Sequence, residues 1–162
     1  MPTSTIVPSP LGPLTLIASA DALIGLYFPE RGPSVAAGED AGHAILAQTT
    51  QELTAYFAGR LRAFTVPLAP AGTPFQLAAW QALRDIPYAE TRSYGEQAVR
   101  IGRPRASRAV GAANGANPIS IIVPCHRVIG ASGSLTGFGG GRPAKQWLLA
   151  HEAAQQRLFR ST

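Results

Sequence analysis

The sequence predicts an α+β chain in two parts, a small α/β unit over residues 1–72 and a mostly helical unit over residues 73–162 that carries a helix-turn-helix. Three observations lead there. Two apolar runs and one amphipathic stretch fill the first part. Two strong helix starts, at Thr73-Pro74 and Ser93-Tyr94-Gly95-Glu96, stand in the second, and the basic residues gather in the second part alone. A chain of 162 residues, 46% hydrophobic, can bury a core in one medium domain or two small ones.

In chain order, residues 14–18 and 23–28 are apolar runs separated by Ser19-Ala20-Asp21, which predicts a hairpin. Residues 32–42 are a loop rich in Gly and Ala. From Ala44, the apolar residues Ile45, Leu46, Leu53, Tyr56 and Phe57 repeat at helical spacing until Gly59 stops the helix. Residues 63–68 read as a third short strand, and Ala69-Pro70-Ala71-Gly72 breaks the chain at the domain boundary.

Thr73 as N-cap and Pro74 at the first helical position start a helix that carries Phe75, Trp80 and Leu83 and ends before Pro87. Ser93 and Glu96 fit a capping box, so a second helix runs to about residue 101. After the break at Gly102-Arg103-Pro104, a third helix is expected over 104–114. Two short helices joined by a Gly-containing turn predict a helix-turn-helix. The third helix has little bulk, with Ala106, Ala109, Gly111, Ala112 and Ala113, while Arg105 and Arg108 charge its start. Small residues suit close packing against another helix or against the floor of a DNA groove, and composition leaves both open. Asn117-Pro118 turns the chain into residues 119–123, a β-branched run expected to be extended and buried. Pro124 favours the first turn of a new helical segment, which places Cys125 near a helix N-terminus. A glycine-rich loop covers 130–141, and Pro143 starts a last helix through Trp147, Leu148 and Leu149 to Glu152.

The net charge is +5, unevenly spread. Residues 84–145 hold nine Arg and Lys against three acids, whereas residues 1–83 hold five acids against three arginines. The second part therefore suits a polyanion, with a solvated basic surface as the plainer alternative. Residues 1–13 lack the basic flank and apolar run of a signal peptide, and no stretch reaches the length of a membrane span, so a cytoplasmic protein with no membrane partner is expected. One cysteine can make neither an internal disulfide nor a cysteine-based zinc site, and His43, His126 and His151 have no ligand spacing. No metal and no cofactor are expected.

A lone cysteine is ordinarily a small core residue. Here a helix N-terminus, His126 and Arg127 would each lower the thiol pKa. Adjacent helical residues point about 100° apart, so His126 would reach the sulfur through a water, and it needs an acid to set its tautomer. Asp85 and Glu90 flank the Pro87 loop and Glu96 is claimed by the capping box. Glu152 remains, although a lone glutamate near a helix end is more usually a surface charge.

The run Pro124-Cys125-His126-Arg127-Val128, with "RAVGAANGANP" at 108–118 and "WLLAHE" at 147–152, closely resembles the O6-alkylguanine-DNA alkyltransferases. The similarity extends through "FQLAAWQALRDIPYAETRSYGEQA" at 75–98 and "SPLGPLTLIAS" at 9–19, and so covers nearly the whole chain in the manner of a stand-alone bacterial member. The resemblance implies a ribonuclease-H-like N-terminal domain and a winged-helix-like C-terminal domain holding the thiol. It implies direct-reversal DNA repair, with one-turnover transfer of an alkyl group from the O6 of guanine, and from the O4 of thymine, to Cys125. By motif position, His126 is the water-mediated base, Glu152 orients it, and Asn117 braces the segment before the thiol. Tyr94 faces the flipped base and turns the phosphate, and Arg108 fills the vacated stack. The backbone at Cys125, Val128 and Gly139 reads the guanine, and Phe138, Ser93, Arg105 and Arg127 complete the substrate- and DNA-contacting set. The implied partner is double-stranded DNA, entered through the minor groove by a monomer.

Two departures from the family pattern are visible. Phe138 stands where many members have tyrosine and cannot donate a hydrogen bond, and Ala89 stands where glycine is usual, with no functional consequence evident from sequence. Two other classes compete. A Cys-His-Glu hydrolase would use the same triad but would need an oxyanion hole, and a non-catalytic helix-turn-helix binder would have no use for Cys125.

Overall fold

The structure, a computed structural model, describes residues 2–33, 43–130, 132–133 and 141–160, without the side chains of 159 and 160. The chain divides into two compact units, one of Met1–Ala71 with Pro118–Ser120 and one of Gly72–Asn117 with Ile121–Thr162.

The first unit is built on an antiparallel sheet of β1 (Thr3–Val7), β2 (Leu14–Ala18) and β3 (Leu23–Tyr27) in that order. The hairpin between β2 and β3 forms where the sequence predicts it. The Ser19 hydroxyl accepts from the Ala22 amide and donates to the Ala22 carbonyl, both at 3.2 Å, closing the turn. Helix α1 (Ala44–Phe57) also forms as expected and buries Leu46, Thr49, Leu53 and Tyr56, with Gly59 beyond its end at φ +79°.

Two expectations for this unit are corrected. The third strand of the sheet is β1. Residues 63–68 form no strand, and only Leu68 bridges to Leu23. The backbone there is held by a side chain instead, since the Glu52 carboxylate accepts from the Thr65 amide at 2.9 Å and the Val66 amide at 3.2 Å. Residues 119–123 are buried but are not a strand. Ile119 bridges to Leu26, and the chain then turns at Ile121, which adopts φ +72°, a left-handed conformation that costs a β-branched residue on the order of 1–3 kcal/mol.

The second unit packs α2 (Pro74–Arg84), α3 (Tyr94–Arg100) and α4 (Ser107–Gly115) against one another. The capping box predicted for Ser93 with Glu96 is present, and Thr73, expected as an N-cap, forms a second one with Gln76. Trp80 Nε1 donates to the Ala113 carbonyl at 2.8 Å, and Gln97 and Asn114 exchange two amide hydrogen bonds at 2.9 and 2.8 Å, which ties α4 to both preceding helices. Helix α4 starts at Ser107, three residues later than expected, because residues 103–106 form a turn closed by the Ala106 amide on the Arg103 carbonyl. The last helix, α5 (Arg142–Arg160), continues beyond Glu152. A short parallel pair, β4 (Arg92–Ser93) with β5 (Val128–Ile129), aligns Arg92 with Val128 and Ser93 with Ile129. The start of α3 is thereby pinned beside the segment that follows the cysteine.

Candidate active site

Cys125 sits at the end of a folded-back segment whose shape follows from three local features. Asn117, just past α4, is buried, and its Nδ2 donates to the Val123 carbonyl at 2.8 Å and to Cys125 Sγ at 3.3 Å. Pro124, at φ −83° and ψ 66°, lets the Cys125 amide donate to the Val123 carbonyl at 2.8 Å, which is an inverse γ-turn. Residues Cys125–Arg127 then make a single 3-10 turn that runs into β5. The expected helix N-terminus is therefore absent here, since one turn of three residues has no macrodipole to speak of. The thiol pKa moves the opposite way from the expectation. Burial pushes it up, and the Asn117 hydrogen bond and the Lys145 charge offset only part of that.

Beside the thiol, His126 is fully buried, and its Nε2 lies 2.8 Å from Glu152 Oε2. Burial alone would raise the Glu152 carboxyl, but the hydrogen bonds and charges of His126 and Arg127 outweigh it and hold the group well below the usual carboxylate range. An ionised Glu152 can only accept, so His126 carries its proton on Nε2. Burial also keeps the imidazole pKa down, and Nδ1, buried and without a hydrogen-bond partner among the described residues, retains its lone pair.

Glu152 has two further partners. Arg127 donates from Nε to Oε1 at 2.9 Å and from Nη2 to Oε2 at 3.0 Å, while its Nη1 donates to the Ile86 carbonyl at 2.8 Å and its guanidinium carbon lies 5.6 Å from the Tyr88 ring centroid. The Ala89 amide donates to Oε1 at 3.2 Å from a backbone at φ +65°. That revises two expectations. Arg127 is buried and engaged with Glu152 where a DNA contact was expected. Ala89 does carry a consequence, because the alanine strains a turn whose amide helps hold the Glu152 carboxylate.

The structure thus brings together two hydrogen-bonded pairs on adjoining residues, Asn117 with Cys125 and His126 with Glu152. Val128 follows directly in β5, paired with β4, and its carbonyl accepts from the ammonium of Lys145. Tyr94 opens α3 with its ring over Gly111 of α4, where an added Cβ would stand 3.8 Å from it. Ser93 is the cap of that helix, accepting from the Glu96 amide at 3.1 Å. Arg105 and Arg108 are exposed, as are Ala109 and Ala112, whereas Val110 and Ala113 point inward. The small residues of α4 therefore occupy both faces. Phe138 and Gly139 lie outside the described residues. Lys145, missed from sequence, shares the buried side of α5 with Leu148 and Glu152, three and seven positions on, a spacing that marks the inward face and could have found it. Among the described residues, no three His, Cys, Asp or Glu side chains gather as a metal would need, and no helix is long and apolar enough to cross a membrane.

A family model described as 6-O-methylguanine DNA methyltransferase, DNA binding domain, matches residues 74–154, and one described as the ribonuclease-like domain of the same family matches residues 3–70. A protein of Mycolicibacterium paratuberculosis named methylated-DNA–protein-cysteine methyltransferase is 50% identical over 94% of this chain and 96% of its own. One of the same name from Methanosarcina acetivorans is 47% identical over 92% and 97%. The crystal structure of Mycobacterium tuberculosis OGT in complex with DNA is similar at a TM-score of 0.89, with 50% identity over 94% of each chain.

Proposed function

The chain belongs to the 6-O-methylguanine DNA methyltransferase family, and on that footing we propose that it repairs DNA by direct reversal, moving an alkyl group from the six-oxygen of guanine onto Cys125 in one irreversible turnover. Methyltransferase and DNA-binding character follow from the family. Cys125 as acceptor and the residue roles below rest on the motif resemblance, and the hydrogen bonds of Cys125, His126 and Glu152 support theirs.

The thiol proton passes through one water to His126 Nδ1, which the ionised Glu152 leaves free to accept because it binds the proton on Nε2. The resulting thiolate attacks the alkyl carbon. The bond from that carbon to the six-oxygen breaks with its electron pair moving onto the guanine, and the Tyr94 hydroxyl supplies a proton to the departing base, then regains one through solvent as the His126 imidazolium releases the proton taken from the thiol. The products are an S-alkyl Cys125 and guanine. Because the reacting carbon is hidden inside a duplex, the base must leave the stack, which costs a few kcal/mol, and Arg108 occupies the gap to offset part of that.

The exposed arginines of the turn and α4, with Ala109 and Ala112 on the same open side, support a minor-groove contact, where bulk is poorly tolerated. The solved DNA complex of a relative supports the same partner. Thiol, relay and recognition helix all belong to one chain, so the working species is a monomer, and its place of work is the cytoplasm with the DNA. A thymine alkylated at its four-oxygen presents the same carbon–oxygen bond and is a second substrate.

The observation that carries this reading is Cys125 Sγ held at 3.3 Å by Asn117 next to a buried His126–Glu152 pair. The test is incubation with duplex DNA containing a single O6-methylguanine, followed by intact mass and peptide mapping. Repair should plateau at one methyl group per protein, on the Cys125 peptide, and Cys125→Ala should bind the DNA but repair nothing. A thioether has no internal route to release, and the chain holds no second thiol. Many turnovers per molecule would turn the reading toward a hydrolase.

A further inference from the structure

We propose that Arg127 is a positioning residue of the alkyl transfer, whose guanidinium holds the Glu152 carboxylate as the acceptor for His126 Nε2–H and so leaves the lone pair on Nδ1, the atom that takes the thiol proton. The inference rests on the alkyl-transfer reading of Cys125.

An arginine that met DNA would be exposed, as Arg103, Arg105 and Arg108 are, but Arg127 is buried and three of its donors point inward. Two of them fork onto Glu152, one on each oxygen, a bidentate arrangement that fixes the plane of the carboxylate. The third donates to the Ile86 carbonyl, and the guanidinium stacks over Tyr88, so the fork is anchored to the turn after α2. A carboxylate bound only by one imidazole could rotate. With the fork in place and the Ala89 amide on Oε1, Oε2 stays aimed at His126.

Charge makes the same point as geometry. Arg127 balances Glu152, so the buried pair draws no second proton onto the imidazole. Without Arg127, a buried carboxylate would favour imidazolium, and Nδ1 would become a donor unable to accept from the thiol. Among the described residues, the other charged or titratable groups around His126 are Cys125 on its own turn and Glu152 and Lys145 on α5. Lys145 and Arg127 both oppose protonation, Glu152 favours it, and burial opposes it most.

The experiment measures the rate of Cys125 modification against pH, by iodoacetamide and by free O6-methylguanine, in the full chain and in Arg127→Met and Arg127→Lys. Arg127→Met should move the low-pH limb upward by roughly one to three pH units, because the loss of a neighbouring cation raises the pKa of the relay. Arg127→Lys keeps a cation but not the fork, so its limb should stay near the native position while its plateau rate falls on the order of tenfold. An unmoved limb in Arg127→Met, with the rate lowered equally at every pH, would assign Arg127 a structural role only and overturn the proposal. Should Arg127→Met not fold, the lysine variant still decides, since a native plateau rate overturns the clamp. The iodoacetamide profile needs no alkyl transfer from guanine. A wild-type protein that fails on O6-methylguanine while its iodoacetamide limb still shifts in Arg127→Met would sink the alkyl-transfer reading and not the clamp.

Discussion

Replacing Glu152 by glutamine tests the buried centre of the site through stability as well as chemistry. The native carboxylate accepts hydrogen bonds from His126 Nε2, Arg127 Nε, Arg127 Nη2 and the Ala89 amide, at 2.8 to 3.2 Å. Glutamine offers one acceptor oxygen, and its amide nitrogen must face at least one of those donors. The larger cost is the buried guanidinium left without its anion. Removing one partner of a buried pair costs about 3–5 kcal/mol, which for a chain of this size is roughly 6–20 °C in melting temperature. The pH dependence follows from the Glu152 carboxyl being lower in the folded state than in the unfolded one. Its contribution is complete above the unfolded value of about 4.3 and is lost as pH falls through the folded one. His126, whose burial depresses its pKa, makes both proteins less stable below about pH 6.5, but it is present in both. The gap between them should therefore hold from pH 8 to about 5 and close only in stronger acid. Urea unfolding of the two proteins across that range measures it, and the apparent pKa of Cys125 should rise in the variant as imidazolium loses its anion. Equal stability at pH 7, or a gap that closes already near pH 6.5, would refute the assignment of the charge to Glu152.

Arg108→Ala should slow repair in duplex DNA much more than transfer from a free alkylated base, because only the duplex leaves a gap to fill, and equal losses on the two substrates would remove Arg108 from that role. Ala89→Gly should stabilise the protein by about 0.5–1 kcal/mol in urea titrations, the relief of a left-handed alanine less the added freedom of the unfolded chain, and a loss of stability would mean that the φ of +65° carries no strain.

Much of the scaffold was legible because its signals are local. The N-cap at Thr73, the capping box at Ser93 and the apolar period of α1 need only a few neighbouring residues to be read, and each appears in the structure. The misread segments are those whose backbone is governed from a distance. Residues 63–68 have the composition of a strand but spend two amides on Glu52, 13 and 14 positions earlier. The β-branched run at 119–123 bends because Ile121 is held in a conformation that its side chain disfavours. In the site, motif and chemistry together single out Cys125, His126 and Glu152, whereas Arg127 reads as a cation beside the thiol and a DNA contact until its partner, 25 positions on, is in view. Ala89 illustrates the same limit, since a positive φ leaves no mark on the identity of an alanine.

A raised thiol pKa sits well with a protein that is consumed by its own reaction. A thiolate of higher pKa is intrinsically the better nucleophile, but nucleophilicity grows only as about the 0.4–0.5 power of basicity, whereas the thiolate fraction at neutral pH falls tenfold per unit. Each tenfold loss of thiolate to a higher pKa therefore slows an unassisted electrophile by roughly threefold. Burial of Cys125 thus protects the single thiol from alkylating agents and oxidants that meet it without help. A substrate held so that the proton can pass to His126 recovers the loss, since the thiolate then forms beside the imidazolium that Glu152 stabilises, and in a site already shielded from water the desolvated sulfur attacks at its full intrinsic strength. In the proposed mechanism, selectivity between stray electrophiles and the flipped base is in this way set by the relay, and the residues that hold the relay in one tautomer govern how rarely the protein is wasted.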